Sequence, residues 1–152
     1  MLKLGEKAPS FSGKSQGGKL VDSNDFLGKK VILFFYPKDN TPGCTAEACD
    51  LRDNISVLKK AGFEVVGVSA DSVERHDKFV DKFNLPFPLI ADVDKEVINA
   101  YGIWGPKKFM GKEYEGIHRK TFIIDEKGNL EQIFEKVKTK AHAEQILATY
   151  KK

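Results

Sequence analysis

The sequence predicts an α/β protein with a mixed central β-sheet covered by helices on both faces. Residues 31–36 and 63–69 are dominated by apolar side chains, which is typical of strands buried on both faces. Segments with apolar residues at helical spacing follow both strands. Two further strand-like runs, residues 120–125 and 130–135, are joined by a turn short enough to make them an antiparallel hairpin. A mixed sheet accounts for this order of elements.

The first helix is expected to begin at Thr41 and Pro42, since threonine is a good N-cap and proline fits the first helical position. It continues to about Ala61 and ends at Gly62. At about 100° per residue, four apolar residues fall within roughly 40° of Cys44 and form its buried face: Ala48, Leu51, Ile55 and Leu58.

The next helix is capped by Asp71 or Ser72 and is ended by the Pro-Phe-Pro sequence at residues 86–88. Its apolar face consists of five residues at helical spacing: Val73, His76, Phe79, Val80 and Phe83. Residues 89–90 are apolar but too few to assign to an element.

Beyond residue 90, Asp92 is placed to cap a short helix through Tyr101 that ends at Gly102. A loop containing residues 104–106 and the hairpin described above follow. The apolar face of the last helix carries Ala143, Ile146, Leu147 and Tyr150. A thioredoxin-like arrangement is the simplest fit to the whole pattern.

Length and composition are those of one domain, residues 1–152, that is 41% hydrophobic and folds without disulfide bonds. The 25 basic and 22 acidic residues form no long block of one sign, so nucleic-acid binding gains no support. Because no apolar run approaches the ~18 residues of a membrane span and the first residues lack a secretory signal, we expect a soluble cytoplasmic protein without a membrane partner.

Cys44 is the most informative residue, because it falls at the third helical position after Thr41 and Pro42. Its sulfur would lie among unpaired backbone N–H groups at the positive end of the helix dipole, which favours thiolate over thiol. A thiolate is a nucleophile. The alternative is that Cys44 is a small buried core residue.

Cys49 follows five residues later, about 140° around the helix and roughly 7.5 Å along its axis. This separation is beyond comfortable disulfide geometry while the helix is intact. Either the two cysteines never meet, or the first helical turns melt after Cys44 is oxidised so that Cys49 can attack. Gly43 and the middling helix formers near residue 50 make such opening cheap compared with global unfolding.

Other uses of paired cysteines fit the sequence less well. A structural zinc site needs four ligands, but the three histidines are scattered singly. A thiol–disulfide exchanger normally has a C-x-x-C motif, and a cysteine protease needs a placed histidine. Neither signature is visible.

The ensemble of motifs resembles the peroxiredoxins, and among them the bacterioferritin-comigratory or PrxQ type. The central motif is Pro37-x-x-x-Thr41-x-x-Cys44, with Cys49 at the PrxQ spacing. Supporting matches run along most of the chain, in residues 5–11, 85–88 and 116–125 and at His142.

This resemblance implies a thioredoxin-like fold and the reduction of hydrogen peroxide and organic hydroperoxides. It implies Cys44 as the peroxidatic and Cys49 as the resolving cysteine, with Thr41 and Arg119 completing the site and Pro37 shaping it. Chemistry agrees, since Arg119 is a permanent cation able to favour the thiolate and to polarise the O–O bond. Without the resemblance, Arg119 would be read as an exposed charge at a strand end.

The resemblance also implies that thioredoxin is the reductant and that the protein is a monomer. The chemistry needs neither a metal nor an organic cofactor. Two other functions stay open. One is a one-cysteine peroxidase whose Cys44 is resolved by an external thiol. The other is a thioredoxin-like binding or chaperone module in which the thiols matter little.

Overall fold

Nine strands lie within residues 2–150, the part of the chain that this computed structural model describes. They are β1 (Ser12–Lys14), β2 (Leu20–Asp22), β3 (Lys30–Phe35), β4 (Phe63–Ser69), β5 (Leu89–Ala91), β6 (Trp104–Phe109), β7 (Lys112–Ile117), β8 (Lys120–Ile124) and β9 (Leu130–Phe134). The α-helices are α1 (Pro42–Asp53), α2 (Ile55–Lys60), α3 (Val73–Phe83), α4 (Glu96–Ala100) and α5 (His142–Ala148). In this part of the chain no helix is long and apolar enough to cross a membrane.

Five of the strands form the central sheet in the order β5-β4-β3-β8-β9. β3 pairs in parallel with β4 and antiparallel with β8, so the predicted mixed sheet and the β8–β9 hairpin are confirmed. Phe34 lies opposite Gly67 in the β3–β4 register. A side chain at Gly67 would come within 2.7 Å of both Phe34 and Leu89, so glycine is required by packing there.

The sheet separates two hydrophobic cores, because neighbouring residues of β3 point to opposite faces. On one face, Phe35 packs in a cluster with residues of the N-terminal strands and α4. On the other, Phe34 packs in a cluster with residues of α1, α3 and α5, including Cys44. The reactive-cysteine candidate therefore lies on the helix that covers the centre of the sheet.

The single helix predicted from Pro42 to about Ala61 is instead two helices, which meet at Asn54. Asn54 has φ −109° and ψ 12°, and its side-chain amide donates to the Asp50 carbonyl at 2.8 Å. Asparagine competes with the helical backbone in this way because its short side chain reaches backbone groups. The buried helix face predicted from Cys44 to Leu58 is nonetheless confirmed, except that Ile55 is half-buried.

Two further elements differ from the sequence prediction. The short fourth helix begins at Glu96 rather than next to Asp92, because the N-cap residue Lys95 has a left-handed, non-helical backbone; the Asp92 carboxylate still accepts the Ile98 N–H from outside the helix. Residues 104–106, predicted to lie in a loop, instead begin the β6–β7 hairpin, whose turn places both Met110 and Gly111 at positive φ. Methionine is not a usual residue for such a turn, so the local sequence did not signal it.

Candidate active site

Cys44 lies where the sequence placed it, in the first turn of α1. Thr41 is the N-cap and Pro42 is the first helical residue, so Cys44 is the third. The Cys44 side chain is almost fully buried, at 2% relative exposure. The sulfur thus combines the positive end of a 12-residue helix with shelter from bulk water.

Arg119 lies beside the sulfur, in the short connection between β7 and β8. Its Nη2 donates to Cys44 Sγ at 3.2 Å. A Cβ atom at Gly43 would lie 3.2 Å from the same nitrogen, so the glycine before the cysteine leaves room for the guanidinium. Burial lowers the pKa of Arg119, but Glu47 and Cys44 outweigh it and the pKa is raised overall. The predicted site cation is therefore next to the sulfur.

Glu47 is a third member of this cluster, and sequence reasoning missed it. Its carboxyl group is fully buried, and Oε1 accepts a hydrogen bond from Arg119 Nη1 at 2.6 Å. Burial raises the pKa of Glu47 to about 7, although the Arg119 charge opposes the rise. The only available signal was its position three residues after Cys44, which puts both on one helix face.

His142 and Thr121 are the remaining members of the cluster around Glu47. His142 is fully buried at the start of α5, and its Nε2 lies 2.8 Å from Thr121 Oγ1 and 3.8 Å from Glu47 Oε2. Burial lowers the pKa of His142 to about 4, and the Arg119 charge adds to the effect. The His142 imidazole is therefore neutral, and Nε2 is its nitrogen that faces Glu47.

Thr41 and Pro37 lie in the loop between β3 and α1. The Thr41 hydroxyl donates to the Lys38 carbonyl at 2.8 Å rather than capping α1 with its side chain. Its oxygen lone pairs remain able to accept a hydrogen bond. Pro37 is half-buried and directly follows the end of the buried strand segment.

A buried polar network holds this loop against α3. Asp39 is 3% exposed, and its two carboxyl oxygens contact the Tyr36 hydroxyl at 2.5 Å and His76 Nδ1 at 2.6 Å. His76 Nε2 lies 3.1 Å from the Ile90 carbonyl, an acceptor, so this nitrogen carries a proton. The backbone N–H of Asp39 donates to Asp71 at 2.8 Å. The loop that ends at Thr41 is thus tied to α3 and to the strand β5.

Lys107 contributes a second cation near the site from β6. Its ammonium donates to the Ile117 carbonyl at 2.9 Å, two residues before Arg119. Burial and the Arg119 charge lower the pKa of Lys107, whereas the Cys44 charge opposes them.

Cys49 is not brought next to Cys44. Both residues are free thiols within the intact helix α1, and Cys49 is half-buried.

One side-chain contact ties this part of α1 to the last helix, because Asp50 Oδ2 accepts the Ala143 N–H at 2.8 Å. Ala141, the N-cap residue of α5, offers no side-chain acceptor. Asp50 therefore caps α5 from a neighbouring helix.

A metal centre is not indicated by the side chains. Within residues 2–150, no group of three or more His, Cys, Asp or Glu residues is arranged to hold a metal ion.

Fold and site together define a class of protein, the thioredoxin-like proteins with a buried cysteine at a helix start facing an arginine. The AhpC/TSA family model matches residues 4–133. The chain therefore belongs to the AhpC/TSA family, among the peroxiredoxins of the Bcp/PrxQ type, and is a thiol peroxidase.

Several relatives show how closely the chain follows this type. It is 48% identical to peroxiredoxin Bcp of Escherichia coli over 146 residues, which is 96% of this chain and 94% of the relative. It is 45% identical to peroxiredoxin Bcp of Bacillus subtilis over 150 residues, covering 99% and 96%. These relatives confirm the resemblance that the motifs indicated.

Solved structures agree. A PrxQ mutant from Xylella fastidiosa matches with a TM-score of 0.92 at 28% identity, covering 99% of this chain and 96% of that one. The bacterioferritin comigratory protein of Xanthomonas campestris matches with a TM-score of 0.87 at 34% identity, covering 97% and 96%. The predicted thioredoxin-like fold is confirmed.

Proposed function

We propose that this enzyme reduces hydrogen peroxide and organic hydroperoxides through Cys44. The observation that carries the proposal is the 3.2 Å hydrogen bond from Arg119 to a sulfur at the start of a helix. Both features favour the thiolate. The Xanthomonas campestris relative was studied for its alkyl peroxide reduction activity, which supports organic hydroperoxides as substrates.

In the first step, the Cys44 thiolate attacks the terminal peroxide oxygen and the O–O bond breaks. The leaving oxygen takes a proton and departs as an alcohol, or as water from hydrogen peroxide, and Cys44 becomes a sulfenic acid. Arg119 is placed to stabilise the charge that develops on the leaving oxygen. The Thr41 hydroxyl oxygen, whose proton is directed to Lys38, is free to accept the peroxide O–H.

In the second step, Cys49 attacks the sulfenic sulfur, water leaves and an intramolecular disulfide forms. The helix must first unwind between the two cysteines, because a spacing of five helical positions separates the sulfurs by roughly 7.5 Å along the axis. Unwinding releases Glu47 from Arg119 and Asp50 from Ala143. A dithiol reductant, which we take to be thioredoxin, then regenerates both thiols, and the working unit is a cytoplasmic monomer.

The test adds one equivalent of hydrogen peroxide to the reduced protein and maps the products by mass spectrometry. We expect a Cys44–Cys49 disulfide in the native sequence, a sulfenic acid in Cys49→Ser and no fast reaction in Cys44→Ser. Full turnover with thioredoxin in Cys49→Ser would instead establish the one-cysteine mechanism. The intact helix α1, which holds the two thiols apart, makes that the second candidate. Peroxide reactivity no faster than that of free cysteine would reject both mechanisms in favour of a binding or chaperone module.

A further inference from the structure

The Glu47 carboxyl group is fully buried but has a hydrogen-bond partner on only one oxygen. Oε1 receives Arg119, whereas Oε2 receives none. In the part of the chain that the structure describes, Oε2 is the one buried side-chain oxygen or nitrogen in this condition. A buried carboxylate oxygen without a partner costs free energy, and a proton on it removes the charge.

The nitrogen that faces this oxygen carries a lone pair. Gln145 Oε1 accepts the Lys138 N–H, so the amide orientation is fixed and His142 Nδ1 must donate to the same oxygen. In the neutral ring, Nε2 of His142 is then the acceptor. It lies 3.8 Å from Glu47 Oε2 and now receives the Thr121 hydroxyl.

The charges around Glu47 also favour a proton there. Arg119 is its one directly bonded cation, and Arg119 is shared with Cys44. Asp50, on the same helix, adds a negative charge that raises the pKa of Glu47 further. Lys107 faces the cluster from β6, but its ammonium binds the Ile117 carbonyl and water screens its half-exposed charge. Cys44 thiolate and Glu47 carboxylate together would leave an excess negative charge around one buried guanidinium.

We propose that Glu47 holds the proton that Cys44 gives up, so that the reduced site is a Cys44 thiolate, an Arg119 guanidinium and a Glu47 carboxylic acid. The Cys44 S–H bond breaks, an O–H bond forms on Glu47 Oε2, which lies 3.8 Å from His142 Nε2, and nothing is oxidised or reduced. The charge of the cluster stays the same. This inference rests on the proposed function and assigns Glu47 as a positioning residue that acts through Arg119.

The proton on Glu47 matches the need of the peroxide step. A thiolate, a hydroperoxide and one proton give a sulfenic acid and an alcohol. Once Cys44 is a neutral sulfenic acid, Arg119 no longer has a thiolate beside it. Its positive charge then stabilises the Glu47 carboxylate, so the carboxyl group ionises. The pKa of Glu47, raised to about 7 by burial, allows it to hold or release a proton near neutral pH. The proton stored on Glu47 thus ends on the leaving oxygen, and the step neither takes up a proton from the solvent nor releases one to it.

Infrared difference spectroscopy at pH 7 tests this directly, since the C=O stretch of a protonated carboxyl group differs from that of a carboxylate. The sample is Cys49→Ser, in which oxidation stops at the sulfenic acid. We expect one protonated carboxyl band in the reduced protein and its loss after one equivalent of hydrogen peroxide. Adding Glu47→Gln should remove the band from both spectra. Adding Glu64→Gln, which alters a half-buried carboxyl that pairs with Lys29, should leave it unchanged.

A pH titration of the same band needs no change at Glu47. With Cys44→Ser, which cannot form a thiolate, the band should disappear at a lower pH than in the protein with Cys44. A reduced protein without the band, or a band that persists through oxidation, would overturn the proposal. Peroxide consumption measured on the same sample keeps the two questions apart, because normal consumption without a band change rejects only the location of the proton.

Discussion

Asp50 offers a way to test whether the last helix responds to the opening of α1. Its carboxylate caps α5 through the Ala143 N–H at 2.8 Å, and Ala141 supplies no cap of its own. In the proposed mechanism, unwinding of α1 around Cys49 breaks this bond before the disulfide forms. Asp50→Ala should therefore destabilise the helical state without affecting the unwound one.

The size of the effect follows from the type of contact. Replacing a capping Asp by Ala costs about 0.5–2 kcal/mol. At 25 °C this corresponds to a shift of about 2–30-fold in the ratio of unwound to helical protein. We expect disulfide formation after peroxide addition to accelerate by up to this factor, while the first reaction of Cys44 with peroxide keeps its rate. The melting temperature should fall by about 1–8 °C.

Stopped-flow fluorescence and thiol trapping at successive times measure the two rates, and calorimetry measures the melting temperature. Asp50→Asn is the matched control, because it removes the charge near Glu47 but keeps an oxygen for the Ala143 N–H. If Asp50→Ala lowers the melting temperature but forms the disulfide as fast as Asp50→Asn, α5 is not coupled to the opening and the reasoning is refuted.

Three other predictions concern the buried polar groups. Arg119→Gln removes a charged hydrogen bond worth about 1.5–3 kcal/mol, so the rate constant for the reaction of Cys44 with peroxide, followed by stopped-flow fluorescence, should fall by about 10–150-fold; an unchanged rate constant would contradict the role of Arg119. Burial lowers the pKa of His142 to about 4, so the contribution of His142 to stability is lost as the pH falls from about 6.5 to 4. Burial raises the pKa of Glu47 to about 7, so the contribution of Glu47 to stability grows as the pH falls from 7 to about 4.5. Because the two trends oppose each other, Glu47→Gln should lose stability between pH 7 and pH 5 more steeply than the native protein in urea unfolding, by up to about 3 kcal/mol; parallel curves would exclude this. Asp39→Ala removes the carboxylate that binds His76 and should lower kcat/KM for peroxide, with Asp39→Asn partly restoring it; a loss of stability without a change in kcat/KM would limit Asp39 to a structural role.

Local sequence signals were sufficient for the mixed central sheet and for the position of the sulfur. Thr41 is the N-cap residue and Pro42 the first residue of α1, as predicted, because the fixed φ of proline acts over a few residues, although the Thr41 side chain makes no capping bond. The β8–β9 hairpin was likewise visible from two apolar runs and a short turn. Such features depend on neighbours in the chain, so the sequence carries them directly.

Glu47 and His142 could not be assigned in the same way. Glu47 lies in a helix that also carries Asp50 and Asp53, so from the sequence it looks like part of a solvated helix face. His142 is a single histidine near the end of the chain. Their burial depends on the packing of α1 against α5 and on the position of Arg119, which are tertiary facts. Periodicity indicates which face of a helix is apolar, but not which charged residue is buried with it.

In the proposed cycle, the break at Asn54 limits how much of α1 and α2 has to open. Because α1 ends there and α2 begins with its own hydrogen-bonding pattern, melting from Cys44 towards Cys49 has a natural stopping point. Leu58, on α2, is fully buried and remains packed in the core beyond that point. The oxidised protein would therefore keep its sheet and most of its core covered, which limits its exposure to proteases and to aggregation between rounds of peroxide reduction.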